Sequence, residues 1–198
     1  MKISTRDTIL KKARKLFAKQ GFDGVSIRAI CEKANCNVSA ISYHFGGKDE
    51  LYKACLSEEG SNILHFMETI LTEPLGLDDF KAKLRLYMIH HFEHAVKNRE
   101  LILMISRDVS SKAAMVNVHK IFRNVPDRMN SFFEEAQKKG FIKPTVKTDY
   151  LGDYFLGPIF MQVLFAENLI EPKDVYNPQF REQFVTELIE NFLNGILL

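Results

Sequence analysis

The sequence predicts an all-α protein of nine helices. Only 10 Gly and 6 Pro occur among 198 residues, so the chain has few residues that form turns or break helices. Apolar residues recur at helical spacing along most of its length. The composition, 46% hydrophobic and 26% charged, is typical of a soluble globular protein and excludes a disordered or collagen-like chain. The three cysteines show no C-x-x-C spacing, which argues against a disulfide scaffold or a zinc ribbon.

The first predicted helix spans Thr5–Gln20. Ser4 and Asp7 form a capping-box pattern at its start, and Gly21 is a suitable residue to end it, with Phe22 folding back over the last turn. The side opposite the apolar stripe is basic. It carries Lys11, Lys12, Arg14, Lys15 and Lys19.

Two short helices are predicted next, over Ile27–Ala34 and Val38–Phe45. Ser26 is a good N-cap for the first of them, and Asn35 suits the left-handed position of a sharp turn between them. Two short helices joined by a tight turn behind a longer basic helix are typical of a helix-turn-helix, whose second helix enters the major groove of DNA. An ordinary αα-hairpin with a solvated polar face would show the same pattern.

Charge divides the chain into two regions. Residues 1–56 contain 11 Lys or Arg and 5 Asp or Glu, a net charge of +6, whereas residues 57–198 contain 16 and 20, a net charge of −4. Of the 16 Phe, 13 lie after residue 56. We therefore expect a DNA-binding domain over residues 1–56, because a basic region suits a polyanion. Residues 57–198 are expected to form a helical domain with the larger apolar core.

Two segments carry a family resemblance. Residues 24–30, GVSIRAI, and residues 40–48, AISYHFGGK, resemble the DNA-binding domain of the TetR family of bacterial transcriptional regulators, and the second segment is similar to the CecR-type subgroup. The resemblance covers residues 5–56, while the remainder agrees only in length and helical content. Two residues depart from the family pattern: Asn35 stands where the family usually has Gly, and Ser42 where it often has Tyr.

The resemblance implies which residues meet double-stranded operator DNA. Phosphate contacts are expected from Ser26 with the N-terminus of the second helix, from Tyr43 and His44, and from Lys48, because free backbone N–H groups and cations suit phosphate oxygens. Base edges are expected to meet the outward face of the third helix, which carries Ser39, Ala40, Ser42 and Tyr43. Arg28 of the second helix is a further candidate at the edge of the groove. A solvated helix face that touches no DNA would carry the same residue types.

Six further helices are predicted in the rest of the chain. They cover residues 50–71, 77–96, 100–109, 112–139, 148–167 and 178–197. The last one has two adjacent apolar rows, one containing Phe184 and the other Ile189, a stripe too broad for one neighbour. By resemblance, helices eight and nine of two chains form a four-helix interface, and a homodimer matches a palindromic operator.

Aromatic and methionine side chains could line a pocket in the second domain, although plain core packing accounts for such residues equally well. The resemblance implies a small-molecule effector that enters between these helices, shifts helix four and displaces the helix-turn-helix. The candidate pocket residues are Phe66, Tyr87, Phe92, Met104, Phe122, Phe133, Tyr154 and Phe155.

The segment from His90 to His94 matches H-x-x-E-H, a metal-binding signature. On a helix, His90 and His94 share one face and Glu93 lies beside them, so a metal-effector site or a metalloenzyme is the alternative to ordinary histidines. A peptidase would need a third ligand from elsewhere, and no other catalytic motif is present. We expect no cofactor and no metal.

These observations together predict a cytoplasmic, homodimeric, ligand-responsive transcriptional repressor with no enzymatic activity. The N-terminus lacks a signal-peptide pattern, and no uncharged stretch is long enough to span a bilayer. An activator would use the same residues, and a helical adaptor that has lost DNA binding is a further alternative. The effector and the operator sequence are not encoded in any recognisable pattern.

Overall fold

The computed structural model describes residues 4–107, 118–119, 121–167 and 174–196. Nine α-helices lie in these residues, which confirms the predicted all-α fold. They are α1 (Thr5–Gln20), α2 (Ile27–Ala34), α3 (Val38–Phe45), α4 (Lys48–Ile70), α5 (Leu77–Lys97), α6 (Arg99–Arg107), α7 (Asn124–Lys138), α8 (Leu151–Phe165) and α9 (Pro178–Ile196).

The first three helices have the predicted bounds, because their ends are set by local signals. The Ser4 hydroxyl accepts a hydrogen bond from the Asp7 N–H at 3.1 Å and caps α1. Gly21 ends that helix with φ 73°, and the Phe22 ring stacks on Phe17 with centroids 6.1 Å apart. Asn35 adopts the left-handed conformation, φ 51°, predicted for the turn after α2.

The predicted helix over residues 112–139 is interrupted. Residues 118, 119, 121 and 122 are helical, Arg123 forms a turn, and α7 begins at Asn124. Pro126 explains the break, since proline has no backbone N–H and fits only the first turn of a helix. The predicted helical residues 108, 109, 112–117, 120 and 197 lie outside the described residues.

The chain divides into two compact units. The first contains the described residues within 1–61 and 99–121, and the second those within 62–98 and 122–198. The helix α4 contributes to both. The functional boundary predicted at residue 56 falls within α4 and stays a prediction.

The core of the first unit forms where α1 packs against α2 and α6. Phe17 and Tyr52 are fully buried, and their rings meet edge to face at 5.1 Å. The Arg107 Nε donates a 2.7 Å hydrogen bond to the Ala18 carbonyl, which fixes α6 on the end of α1.

Arg14 does not belong to the solvent-facing basic side of α1. Its side chain is only 17% exposed and lies 2.9 Å from carboxylate oxygens of both Glu58 and Glu59. Because these two acids follow residue 56 closely, a charge count that stops there overestimates the free positive charge of the first unit.

The core of the second unit is a cluster of phenylalanines. Phe133 contacts Phe155 at 5.3 Å and Phe192 at 6.0 Å between ring centroids. At the other end of α9, Phe184 lies 5.5 Å from Phe92 of α5. Phe184 and Phe192 belong to one apolar row of α9, and Val185, Ile189 and Leu193 of the other row are buried, so both rows contribute to the core of their own chain.

Helices α7 and α8 approach each other closely at Gly152. Its N–H donates a 2.7 Å hydrogen bond to the Asn130 side chain. A Cβ at this position would lie 2.6 Å from the Pro126 carbonyl oxygen, which is closer than nonbonded atoms approach. This crossing therefore requires glycine.

Candidate nucleic-acid interface

The turn between α2 and α3 is built by two capping motifs. The Ser26 hydroxyl accepts a 3.1 Å hydrogen bond from the Ala29 N–H at the start of α2. At the other end, the Cys36 N–H donates to the Cys31 carbonyl at 3.0 Å, and Asn35 between them is left-handed. This pairing is a Schellman motif, which ends one helix and redirects the chain within a few residues. The turn therefore orients α3 without any glycine.

The helix α3 has one buried side and one open side. Ile41 is fully buried, whereas Ser39 and Ser42 are exposed and Ala40 is half-buried. Tyr43 is 86% exposed, the highest exposure among the large aromatic residues of this unit. The open side therefore combines small or hydroxyl side chains with one projecting phenol, a surface that lets a backbone approach the edges of bases.

Lys48 begins α4 directly after two glycines with positive φ, Gly46 at 83° and Gly47 at 146°. Its Nζ lies 4.3 Å from the centroid of the Phe22 ring. A cation over an aromatic face is held electrostatically. The ammonium is thus fixed near the C-terminal end of α3.

The remaining predicted DNA contacts also lie on this part of the chain. Ser26 is exposed just before α2, Arg28 is exposed on its first turn, and His44 is half-buried. The rings of His44 and Tyr43 meet edge to face at 5.0 Å. All eight predicted residues thus have some exposure on the α2–α3–α4 segment of the first unit.

Arg6 is a candidate that the sequence reasoning missed. Its Cζ lies 5.4 Å from the centroid of the Phe45 ring at the end of α3, and the side chain is exposed. Arg6 and Phe45 are far apart in the sequence, so no local pattern placed an arginine of α1 beside the end of α3. Arg6 adds a positive charge near the C-terminal end of α3.

The predicted pocket residues do not form one cluster. In the second unit, Phe66 contacts Tyr87 at 6.3 Å and Phe133 contacts Phe155 at 5.3 Å between centroids. Phe92 is fully buried there and Phe122 is half-buried. Two other predicted residues lie elsewhere. Met104 is buried in the first unit, and Tyr154 is 67% exposed.

A groove of about 280 Å³ lies between α5 and α9, and none of the predicted pocket residues lines it. Its lining includes the charged residues Lys81, Arg85 and Glu190, although apolar atoms form most of the lining surface. The shape is open, so the groove differs from the enclosed apolar sites that small molecules usually occupy.

The histidine segment on α5 is engaged with neighbouring side chains. The His90 ring stacks on Phe66 with centroids 3.5 Å apart, and the Tyr87 hydroxyl lies 3.4 Å from His91 Nδ1. Burial, followed by the nearby His94 and His90, lowers the pKa of His91 to about 4. His94 Nε2 lies 3.1 Å from the Asn98 amide nitrogen. These rings are packed or hydrogen-bonded as ordinary histidines are.

Glu93, the third residue of the possible metal set, lies 3.8 Å from Arg181. Within the part of the chain that the structure describes, no three His, Cys, Asp or Glu side chains are arranged to hold a metal ion. The metal hypothesis therefore gains no support from these residues.

Comparison with known proteins indicates a family for the first part of the chain. Residues 9–55, which contain α2, α3 and parts of α1 and α4, match the sequence profile of the bacterial regulatory proteins of the tetR family. This part of the chain is similar to TetR family proteins. Among its relatives is the protein described as "Probable HTH-type transcriptional regulator YttP" of Bacillus subtilis, 32% identical over 117 residues that cover 59% of this chain and 56% of the relative. The chain thus spans just over half the length of this relative.

A second relative and two solved structures extend the comparison. The "HTH-type transcriptional regulator UidR" of Escherichia coli is 29% identical over 150 residues, covering 73% of this chain and 72% of the relative. The fatty acid degradation regulator FadR of Bacillus halodurans superposes with a TM-score of 0.78 at 14% identity, covering 98% of this chain and 97% of that one. The TetR family regulator PfmR of Thermus thermophilus gives 0.75 at 18% identity, covering 97% of both chains. At these identities the two structures show a shared fold.

The helices also bear on membrane insertion. Among those described, none combines the length and the apolar character needed to cross a bilayer.

Proposed function

We propose that this chain is a TetR family protein, a homodimeric transcriptional repressor that binds a palindromic operator through α2 and α3. A small-molecule effector in the second unit releases it. The observation that carries the proposal is the open side of α3, where exposed Ser39, Ser42 and Tyr43 lie opposite buried Ile41.

The surroundings of this face suit the phosphate backbone. Ser26, which caps α2, is exposed, and a helix N-terminus favours an anion. Lys48 and Arg6 each place a cation near the C-terminal end of α3, and each lies against an aromatic ring. His44 contributes a further donor. We assign the phosphates to these groups and the base edges to Ser39, Ala40, Ser42 and Tyr43, with Arg28 at the groove edge.

The dimer is assigned to α8 and α9. On α8, Phe155, Ile159 and Val163 are fully buried, whereas Tyr154 and Met161 on another side are 67% and 49% exposed. Phe165, one turn after Met161, continues this exposed apolar row. Such a row on one helix is typical of an interface with another protein. A second copy of the chain is the occupant that a two-fold symmetric operator requires.

The effector is placed among the aromatic residues of the second unit, around Phe66, Tyr87 and Phe133. The helix α4 runs from this unit into the first. A ligand that moves its second half would therefore act on the residues that begin with Lys48. The segment over residues 40–48 supports membership of a CecR-like subgroup. The arrangement works by binding, with neither catalysis nor a cofactor, and operator binding places the protein in the cytoplasm.

Two named relatives favour repression over activation. One is the "HTH-type transcriptional repressor NicS" of Pseudomonas putida, 31% identical over 104 residues that cover 52% of this chain. The other is the "HTH-type transcriptional repressor AcnR" of Corynebacterium efficiens, 33% identical over 61 residues that cover 31% of this chain. Both alignments are partial, so they support repression as a proposal.

The direct test selects DNA fragments that the purified protein retains and then measures gel shifts with the enriched fragments and with the DNA beside its own gene. We expect enrichment of a palindromic site bound by one dimer. Ser42→Glu should abolish the shift by placing a carboxylate against DNA, while Ser57→Glu, at another exposed helical serine, should not. Enrichment no better than for random DNA would contradict the proposal and favour the adaptor. Hydrolase activity that disappears in His90→Ala would favour the metalloenzyme.

A further inference from the structure

Cys31 and Cys36 flank the turn of the helix-turn-helix. Cys31 lies in the last turn of α2 and is only 5% exposed, whereas Cys36 is half-buried just before α3. The Schellman hydrogen bond joins their backbones at 3.0 Å. In this motif the side chains at the two bonded positions frequently touch, and Cys36 is close enough to Cys31 to contribute to the raised pKa of its thiol.

We propose that Cys31 and Cys36 are a modification site: a hydroperoxide oxidises them to an intramolecular disulfide that weakens operator binding. Neither residue has a part in the DNA contacts assigned above. Formation of the disulfide does not depend on the proposed function. Only its effect on operator affinity rests on that function.

The two thiols have distinct parts in the reaction. Cys36 is the more accessible, so its thiolate attacks the peroxide and forms a sulfenic acid, breaking the O–O bond and releasing an alcohol or water. The Cys31 sulfur then displaces the hydroxyl group of that sulfenic acid, which leaves as water with the Cys31 proton. The two thiols lose two electrons in total, and the peroxide gains them.

Cys31 suits the second part. Burial, with a smaller contribution from the neighbouring Cys36, raises the pKa of its thiol, so it reacts poorly with peroxide alone. It lies beside the sulfur that becomes electrophilic. Cys55, the third free thiol, is fully buried on α4, and burial raises its pKa to about 12. It is therefore a built-in unreactive control.

The expected effect on DNA binding follows from which sulfur can move. Cys31 is held in the core beside fully buried Ile30, so closing the S–S bond displaces mainly Cys36. Asn37, the next residue, is the N-cap of α3, and Ser39 follows in its first turn. A shift there misplaces the side chains assigned to base edges.

The test treats the full-length protein with hydrogen peroxide and follows thiols, mass and operator affinity. We expect two of the three thiols to disappear, with a decrease in mass equal to two hydrogen atoms and no covalent dimer. Trypsin cleaves after Arg28, Lys33 and Lys48. The oxidised protein should therefore yield peptide 29–33 linked to peptide 34–48, and dithiothreitol should separate them. Operator affinity should fall by roughly tenfold and recover on reduction.

Cys36→Ser and Cys55→Ala form the matched pair of variants. With an unchanged circular dichroism spectrum, Cys36→Ser should keep its affinity in peroxide, and Cys55→Ala should respond as the wild type does. If the linked peptide does not form, or forms with Cys55, the modification site is refuted whether or not the protein binds DNA. If the linked peptide forms and operator affinity is unchanged, the proposed effect of the disulfide on DNA binding is refuted. If no DNA is bound before oxidation, the proposed function fails, and the mass data still decide the chemistry.

Discussion

The Lys48 ammonium lies 4.3 Å from the centroid of the Phe22 ring, and this contact fixes a positive charge at the end of the candidate DNA-binding helix. The Phe22 ring is itself held edge to face by Tyr52, with centroids 5.0 Å apart. A flexible lysine loses side-chain entropy when it binds a phosphate. Because part of this ordering is already present here, Lys48 is well placed to bind a phosphate.

Replacing Lys48 by Gln should weaken binding to all DNA sequences by a similar factor. The slope of log affinity against log salt should become shallower by about 1 for each phosphate that is no longer neutralised, one per subunit. Fluorescence anisotropy over a range of salt concentrations measures both quantities. Lys147→Gln, at an exposed lysine of the second unit, should keep the wild-type slope. If Lys48→Gln has the wild-type salt slope, Lys48 does not contact a phosphate of the DNA.

Met161→Asp should convert the dimer into a monomer. Met161 is 49% exposed in the isolated chain and belongs to the apolar row of α8. An unpaired charge in an apolar interface costs several kcal/mol. Leu86→Asp is the control, since Leu86 of α5 is 53% exposed and lies outside this row. If sedimentation shows a dimer for both variants, the dimer interface does not include this row of α8.

Gly152→Ala should destabilise the second unit by roughly 1–3 kcal/mol, the usual cost of overpacking. The added methyl group would lie 2.6 Å from the Pro126 carbonyl oxygen, and backbone atoms cannot yield as a flexible side chain can. Gly157→Ala, in the same helix with nothing within 4 Å, should leave stability unchanged or raise it slightly. Urea unfolding distinguishes the two. Equal free energies of unfolding for both variants would contradict the close helix crossing.

Lowering the pH should destabilise the protein through His91. Its pKa is about 4 in the folded state, below the ordinary value of 6.5, so the unfolded chain binds the proton first. The stabilisation is complete above pH 6.5 and is lost as the pH falls towards 4. Between pH 7 and pH 5 this amounts to roughly 1–2 kcal/mol. Burial also lowers the pKa of His90, so His91→Gln should remove only part of the dependence.

The control for this pH effect is His65→Gln, since His65 is exposed. It should show the wild-type dependence of the free energy of unfolding on pH. If His91→Gln also shows the wild-type dependence on pH, the His91 imidazole does not have a lowered pKa in the folded protein.

The sequence predicted those parts of the fold that depend on neighbouring residues. The cap at Ser4, the end of α1 at Gly21 and the left-handed Asn35 each follow from the chemistry of a few adjacent positions, and the structure has all three. Pro126 is an equally local signal, but it stands within an otherwise periodic stretch that favours one continuous helix.

Contacts between distant parts of the chain could not be predicted in the same way. The pairing of Arg14 with Glu58 and Glu59, and the position of Arg6 over Phe45, depend on how helices pack. The eight DNA-binding residues proposed from the sequence all lie within residues 26–48, so the local pattern and family resemblance of this segment were enough to propose them. The pocket residues come from five helices and the segment before α7, and no local pattern specifies which of them meet.

Tyr43 provides the most direct test of the DNA-binding assignment, because its side chain is 86% exposed and contributes little packing to the free protein. The measurement is operator affinity at one fixed salt concentration for wild type, Tyr43→Ala and Tyr176→Ala, whose tyrosine is 55% exposed in the second unit. We predict that Tyr43→Ala binds at least about tenfold more weakly, while Tyr176→Ala binds like the wild type. Equal affinities for all three proteins would contradict the placement of α3 in the groove.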